Sequence, residues 1–335
     1  TPGGALLNIF SDLPYNISKY RSPEFLNLLV NFAQLHPVDV VHVDHLHMAE
    51  YGVSLKHRFG LPVVLREHNV ESIIMERFAD HAANLLMKTY ARMQQERLSR
   101  YESRMVGLFD ACCPITPDDA GKIRDLNPDA RLHVVPGGVE AAYFTPPEET
   151  AIVPDSIVFF GGMDWVPNRD AVLWFLKDIF PVILKSRPGT TFTIVGKNVP
   201  DEIARYAGPR CVMRGYVEDL RREIQKHTIS IAPFRIGGGM RLKIIESFAM
   251  GVPVVSTAVG CEGIGAKHGE HLHVADTPGE FASQVVLLLG DAVRRSSLCK
   301  AAFALASDRY RWDNVAAMLE DVYRETMAGR ENRVG

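Results

Sequence analysis

Eight short apolar runs recur along the chain, at residues 38–43, 61–67, 109–116, 131–137, 156–162, 191–197, 229–234 and 252–257, each nearly continuous in Val, Ile, Leu and Phe. Between them the apolar positions switch to helical spacing. Buried parallel strands separated by helices read this way, because both faces of such a sheet are covered. The expected class is α/β. The segment TPPEETAIVPD (145–155) follows Pro-Gly-Gly and precedes a fresh strand, and its three prolines and two glutamates mark a linker. Two Rossmann-like domains are therefore expected, 1–145 and 156–310. A last helix, 311–328, places Trp312, Val315, Met318, Leu319 and Val322 on one side and is expected to cross back to the first domain.

A doubly wound domain normally opens with a strand leading into a Gly-rich turn. This chain opens instead with TPGG and a helical pattern, PEFLNLLVNFAQLH (23–36), so the first domain is expected to lack its first βα units. From Ser72 to about Met105 there is no Pro or Gly, and the spacing predicts one long helix, broken once at most. It carries Arg77, Lys88, Arg92, Arg97, Arg100 and Arg104 interspersed with Glu76, Asp80, Glu96 and Glu102. That mixed face reads as solvated, with peripheral contact to an anionic membrane surface as the alternative.

The 335 residues suffice for two domains. With 37 basic and 40 acidic side chains the net charge is −3, which offers nucleic acid no bulk attraction. No run is long enough to span a bilayer, and TPGGALLNIF lacks the pattern of a leader peptide, so a cytoplasmic location is expected, with the inner membrane surface as the peripheral alternative. Five cysteines (Cys112, Cys113, Cys211, Cys261 and Cys299) are an odd, scattered set without C-x-x-C spacing, which reads as reduced packing residues.

The densest chemistry lies in FRIGGGMRLKIIESFAMGVPVVST (234–257), where a strand runs into Gly237, Gly238, Gly239 and Met240, then a helix. Bare backbone N–H groups ahead of a helix N-terminus favour an anion, so this turn is a candidate phosphate site. Arg241 and Lys243 in the first turn oppose the helix dipole, which makes better sense with a diphosphate between them. The simpler alternative is a tight turn. Glu246, further along, can accept ribose hydroxyls or serve as a structural glutamate.

IIESFAMGVPVVSTAVGCEGI (244–264) resembles the nucleotide-sugar site of the family 4 (group 1) glycosyltransferases of the two-domain GT-B fold. PITPDDAGKI (114–123), VVPGGVEAAYFTPP (134–147), IVGKNVP (194–200) and VMRGYVEDL (212–220) fall in that family's order, and LPVVLREHNVES (61–72) resembles its exopolysaccharide-associated branch. The resemblance implies two Rossmann-like domains facing across a cleft. It gives Glu246 the ribose as the second glutamate of a Glu-x7-Glu motif, whereas the first position is Gly238. The family's Gly-Arg…Lys diphosphate segment aligns with Gly161, Gly162, Met163, Asp164, Trp165, Val166, Pro167 and Asn168, which lacks both basic residues. Arg241 and Lys243 are expected to compensate, with Lys197 or Arg235 as further candidates. Val217, in Tyr216-Val217-Glu218, matches the segment whose backbone reads the base. His68 matches a histidine that points at the donor sugar.

Asn69 and Glu71 stand with His68 and Glu67 beyond a strand's carboxyl end, where open α/β sheets bind ligands. His42, His45 and His47 with Asp44 bring metal to mind, but their spacing does not unite the ring nitrogens without a further ligand. Asp44 and His45 therefore read as acceptor-side lining, with Asn69, Glu71 and Asp164. Trp165 either meets a substrate or packs on the following helix. There is no Asp-x-Asp, so no metal is expected at the diphosphate. The resulting expectation is a retaining, metal-independent hexosyltransferase that uses a UDP- or GDP-sugar and a saccharide or lipid-linked acceptor, with a role in polysaccharide or glycoconjugate synthesis. The alternatives are a non-catalytic nucleotide-sugar-binding partner and a GT-B nucleotide-sugar epimerase. An NAD enzyme is disfavoured, because no G-x-G-x-x-G follows a strand.

Overall fold

The computed structural model describes residue 8 and residues 11–80, 84–140, 142–146 and 151–334. Its contacts divide the chain into two units. The first holds residues 1–136, 238–240 and 316–335, and the second holds 137–237 and 241–315.

In the first unit β1 (Val41–Asp44), β2 (Val63–Glu67) and β3 (Ala111–Pro114) form a parallel sheet in that order, with Val41 opposite Val63 and Val64 opposite Ala111. Every residue of β2 and β3 is buried, as continuous apolar runs require. The helix Pro23–Leu35 starts at Ser22, whose side chain accepts from the Phe25 amide. The long helix expected from Ser72 is two, Glu71–Asp80 and Leu85–Val106, and the second begins where the Asn84 side chain accepts from the Met87 amide. Ala91, Gln94, Leu98, Tyr101 and Met105 make its buried stripe, and Leu98, Tyr101 and Met105 pack into a core with Val43, Val63, Leu65 and Phe109. On its other face Arg92 pairs with Asp80, and Arg97 donates to the Asn8 carbonyl at 2.9 Å. Among the described residues no helix is long and apolar enough to cross a membrane.

Residues 131–137 are not a regular strand, which corrects the fourth of the eight expected runs. They run beside β3 through three backbone bonds, Cys112 N to Arg131 O, His133 N to Cys112 O and Val135 N to Pro114 O. Pro136 has no N–H to continue the ladder.

The second unit is a six-stranded parallel sheet in the order β6 (Cys211–Gly215), β5 (Thr191–Val195), β4 (Val153–Phe160), β7 (His227–Ala232), β8 (Val254–Ser256) and β9 (His273–Val274). The chain winds outward from β4 to β6, then returns beside β4 and winds the other way. The reversal lies between β4 and β7, and in such sheets the loops at the carboxyl ends of those two strands frame the ligand crevice.

The chain changes units at Pro136 and Gly137, earlier than the proline-rich segment expected to be the linker, of which 147–150 lie outside the described residues. The reason is a backbone tie: the Val139 amide donates to Tyr310 O at 2.6 Å and the Trp312 amide to Val139 O at 3.3 Å. The last helix runs from Trp312 to Val334 and buries Val315, Val322 and Thr326, whereas Trp312 and Met318 stay exposed. Trp312 is held outside that stripe because its ring lies where a Cβ on Gly138 would be. From Ala316 onward this helix groups with the first unit, and the Tyr323 hydroxyl meets His42 Nδ1 at 2.9 Å. All five cysteines are free thiols, with Cys112, Cys113 and Cys211 buried.

Candidate functional site

The loop after β4 is built on close backbone approach. The Gly161 amide donates to Val195 O at 2.8 Å, the Gly196 amide to Gly215 O at 2.9 Å, and a Cβ on Gly196 would stand 2.0 Å from the Gly161 carbonyl oxygen. Gly161 itself has φ +144°, and a Cβ there would lie 2.9 Å from both Asn168 Nδ2 and Lys243 Nζ. Only glycine suits this position on both counts. Asn168, in the first turn of the helix Val166–Trp174, is buried; its Nδ2 donates to Gly162 O at 2.7 Å, and its Oδ1 accepts from Lys243 Nζ at 2.9 Å.

Lys243 comes from the other side of the sheet reversal, on the helix Leu242–Ala249 that follows the loop after β7. Its ammonium lies 4.0 Å from the centre of the Phe159 ring, 4.8 Å from Phe234 and 5.8 Å from Phe160. Three ring faces favour a cation, but they do not replace its hydration shell. Desolvation therefore pulls the Lys243 pKa down to about 7; nearby Glu246 opposes the shift, and Arg241 adds to it. Glu246, one turn further on, has its carboxyl pushed above the ordinary range by burial, with Lys243 holding it back. Arg241 occupies the N-cap position and is 3% exposed, with its guanidinium 5.3 Å from the Phe234 ring centre. A Cβ on Gly237 would stand 2.6 Å from its Nη2. Two cationic side chains thus share the start of a helix whose first turn carries no acid.

Not every expected residue joins this cluster. Arg235 is engaged elsewhere, donating to both Asp170 oxygens at 3.1 and 2.6 Å over the Trp174 ring, so it does not replace the missing basic pair. The Lys197 ammonium stands 4.5 Å over the exposed Tyr216 ring. Val217, in the loop after β6, packs against the core of Val158, Phe160 and Val195. Asp164 accepts from Asn198 at 2.7 Å, and Trp165 packs 6.1 Å from Phe234. Gly238, Gly239 and Met240 group with the first unit, apart from Gly237 and Arg241.

In the first unit His68, after β2, brings Nε2 to 2.6 Å from Asp44 Oδ1 at the end of β1. His45 follows in a backbone conformation of φ 77°, ψ 142° that glycine occupies almost alone. Its ring lies 4.2 Å from that of His68, and its pKa is lowered by burial, then by His68. His47 points elsewhere, 5.0 Å from the Tyr20 ring and 4.0 Å from a Glu71 oxygen; burial brings its pKa down to about 4, whereas that of Glu71 rises to about 7. His42 is bound to Tyr323, so the ring nitrogens of the three histidines do not converge. The further partner is His68. Asn69 is half-buried in the loop beyond β2.

Three residues escape a reading of the sequence. Asn168 has an ordinary explanation as a polar residue opening a helix, and only the structure shows it gripping Lys243. Glu67 and Glu102 are both fully buried, Glu102 accepting from Ser72 Oγ and two backbone amides, Glu67 with neither oxygen bonded. Glu67 looks like a loop-facing strand end in sequence, and Glu102 lies on a face that reads as solvated.

Residues 154–291 match the glycosyl transferases group 1, and residues 6–138 match the glycosyl transferase 4-like domain. The chain is 22% identical, over 74% of its length, to an uncharacterized 44.6 kDa protein of the cps region of Klebsiella pneumoniae, and the match spans 64% of that relative. It is 25% identical to a D-inositol 3-phosphate glycosyltransferase of Acidothermus cellulolyticus, over 87% of this chain and 68% of the relative. In structure it is similar to the sucrose-phosphate synthase of Thermosynechococcus elongatus, with a TM-score of 0.76 at 16% identity over 92% of this chain and 78% of that one. It is also similar to Anabaena HepE, solved with UDP-glucose, with a TM-score of 0.69 at 13% identity over 92% of this chain and 82% of that one. The fold is GT-B, and with its two matched stretches covering most of its length the chain belongs to the group 1 glycosyltransferases.

Proposed function

We propose that the protein transfers a hexose from a nucleoside-diphosphate sugar to a saccharide or lipid-linked acceptor with retention of configuration, in the synthesis of a polysaccharide or glycoconjugate. The observation that carries this reading is the pairing of Lys243 with Asn168 beside Gly161, at the sheet reversal and next to buried Arg241. A desolvated ammonium and a buried guanidinium at the start of a helix form a receptor for a doubly charged group. Glu246 on the same helix takes the ribose hydroxyls, and the Val217 backbone faces the base.

In the transfer step the bond from the anomeric carbon to the diphosphate oxygen breaks, and charge develops on that oxygen. Lys243, Arg241 and the glycine amides stabilise it, which is where a preorganised site contributes most. The leaving oxygen takes the proton of the acceptor hydroxyl, and the new bond forms on the face just vacated. No side-chain base and no metal are then required, and turnover is expected to survive EDTA. His68, oriented by Asp44, donates to a hydroxyl of the transferred sugar.

A second reading, a nucleotide-sugar-binding partner without turnover, draws on Gly238, which stands where the family carries a glutamate. The deciding experiment is a thermal-shift titration of wild type and Glu246→Ala with UDP, GDP, ADP and CDP, followed by donor turnover with a glycan acceptor. Stabilisation by one diphosphate that weakens in the variant identifies the donor site and its base. No shift with any of the four would refute the donor reading, and binding without turnover would favour the partner.

A further inference from the structure

We propose that Asp44, His45 and His68 form a binding site for a divalent transition-metal ion of the zinc class. β1 and β2 are paired so that Asp44 stands opposite Arg66, and His68 follows two residues later in the loop beyond. One ligand atom from each of the three side chains lies within 4.8 Å of the others. The carboxylate sits between two imidazoles, 2.6 Å from His68 Nε2 through Oδ1 and 4.0 Å from His45 Nε2 through Oδ2. With metal bonds of about 2.0–2.2 Å, the ligand atoms of a tetrahedral ion stand roughly 3.3–3.5 Å apart. To reach that geometry the Asp44–His68 contact must open as the ion replaces the shared proton, and His45 must close in from 4.0 Å. The side chains are 58%, 47% and 32% exposed for Asp44, His45 and His68, so the remaining coordination positions stay open to water.

The donor set selects the class of ion. Two imidazoles and one carboxylate suit zinc, cobalt and nickel, whereas magnesium requires a shell of oxygens. The backbone carries the same message. His45 is held at a positive φ by its amide, which donates to Arg66 O, and by its carbonyl, which accepts from the Met48 amide. Glycine would sit there without strain, and the chain places an imidazole there instead.

This site is separate from the lysine and arginine assigned to the diphosphate, and its occupancy does not depend on the transferase reading. On that reading the ion takes His68 away from the sugar and acts as an inhibitor rather than a cofactor.

The test is a Co2+ titration of the full chain followed by visible d–d absorption, then by competition with Zn2+ and with Mg2+. Wild type is expected to take up one Co2+ with a saturable band that Zn2+ displaces and Mg2+ does not. His45→Gly removes a ligand and relieves the backbone, so it should fold at least as well by circular dichroism and thermal melting, yet bind at least about tenfold more weakly. Asp44→Asn should weaken binding in parallel, and His268→Ala, which removes a histidine elsewhere, should not. The proposal fails if folded wild type gives no saturable band, or if His45→Gly and Asp44→Asn bind as wild type does.

Discussion

The ammonium of Lys243 lies 2.9 Å from Oδ1 of Asn168, so two helices that follow different strands share one polar contact above the sheet reversal. Its pKa of about 7 makes that contact sensitive to pH near neutrality. An anion binds the charged form. Above pH 7 the Lys243 amine of the empty site is mostly neutral, and binding must give it a proton. The affinity for a nucleoside diphosphate is therefore expected to fall as pH rises from 7 to 9, by up to about tenfold per unit. Calorimetry in buffers of different ionisation enthalpy measures the proton taken up. Lys243→Met should bind more weakly at pH 7 and lose the slope. An affinity equal at pH 7 and 9 in wild type would remove Lys243 from the donor site.

Asn168→Asp tests the same contact from the other side. A carboxylate at 2.9 Å from the ammonium favours its charged form, so the midpoint of the affinity profile should move upward from about 7. The added negative charge should also weaken diphosphate binding at pH 7. A midpoint unmoved in this variant would mean that another group sets the profile.

Gly161→Ala combines two penalties. The backbone at φ +144° is unfavourable for any residue with a Cβ, and the new methyl would stand 2.9 Å from Lys243 Nζ and Asn168 Nδ2. Strain of this kind costs about 1–3 kcal/mol, which is a drop of several degrees in melting temperature. Donor affinity should fall as well, because the loop cannot move without shifting both side chains. A variant with unchanged melting temperature and unchanged affinity would show that the glycine is incidental.

The sequence announces the fold of the second unit better than its site. Continuous apolar runs and Gly-Val-Pro punctuation mark the sheet, because buried parallel strands admit few other residues. Glycine-rich ends and a lysine near a helix start likewise point to phosphate. What stays hidden is pairing across long separations. Asn168 meets Lys243 through the reversal of strand order, and Asp44 meets His68 through the register of β1 on β2. Neither leaves a trace in local spacing. Arg235 shows the converse, since a basic residue near the site is neutralised by Asp170, on a helix far away in sequence. The place of the one break, before the N-cap Asn84, and the early change of unit at Pro136 have local causes, an N-cap and the backbone tie of Val139, that composition alone does not rank above a proline-rich segment.

The buried acids of the first unit make its stability depend on pH. Glu67 is fully buried with neither carboxyl oxygen bonded, and its pKa is raised first by desolvation and then by Glu102. Glu102 and Glu71 are each pushed up to about 7, mainly by burial. A carboxyl with a raised folded-state pKa binds its proton more tightly in the folded chain than in the unfolded one. Its contribution is therefore complete below the ordinary carboxyl range and is lost as pH rises through about 7. Each such group costs about 1.4 kcal/mol for every pH unit over which it keeps its proton in the folded chain while the unfolded chain is ionised, or about 3–6 °C in a domain of this size. The melting temperature of wild type is thus expected to decline steadily between pH 5 and 8. Glu67→Gln keeps the shape, removes the charge and leaves the Glu102 bonds to Ser72 and Glu71 in place. It should melt near wild type at pH 5, melt higher at pH 8 and show a shallower slope. A variant that declines as steeply as wild type would assign the pH dependence to other groups.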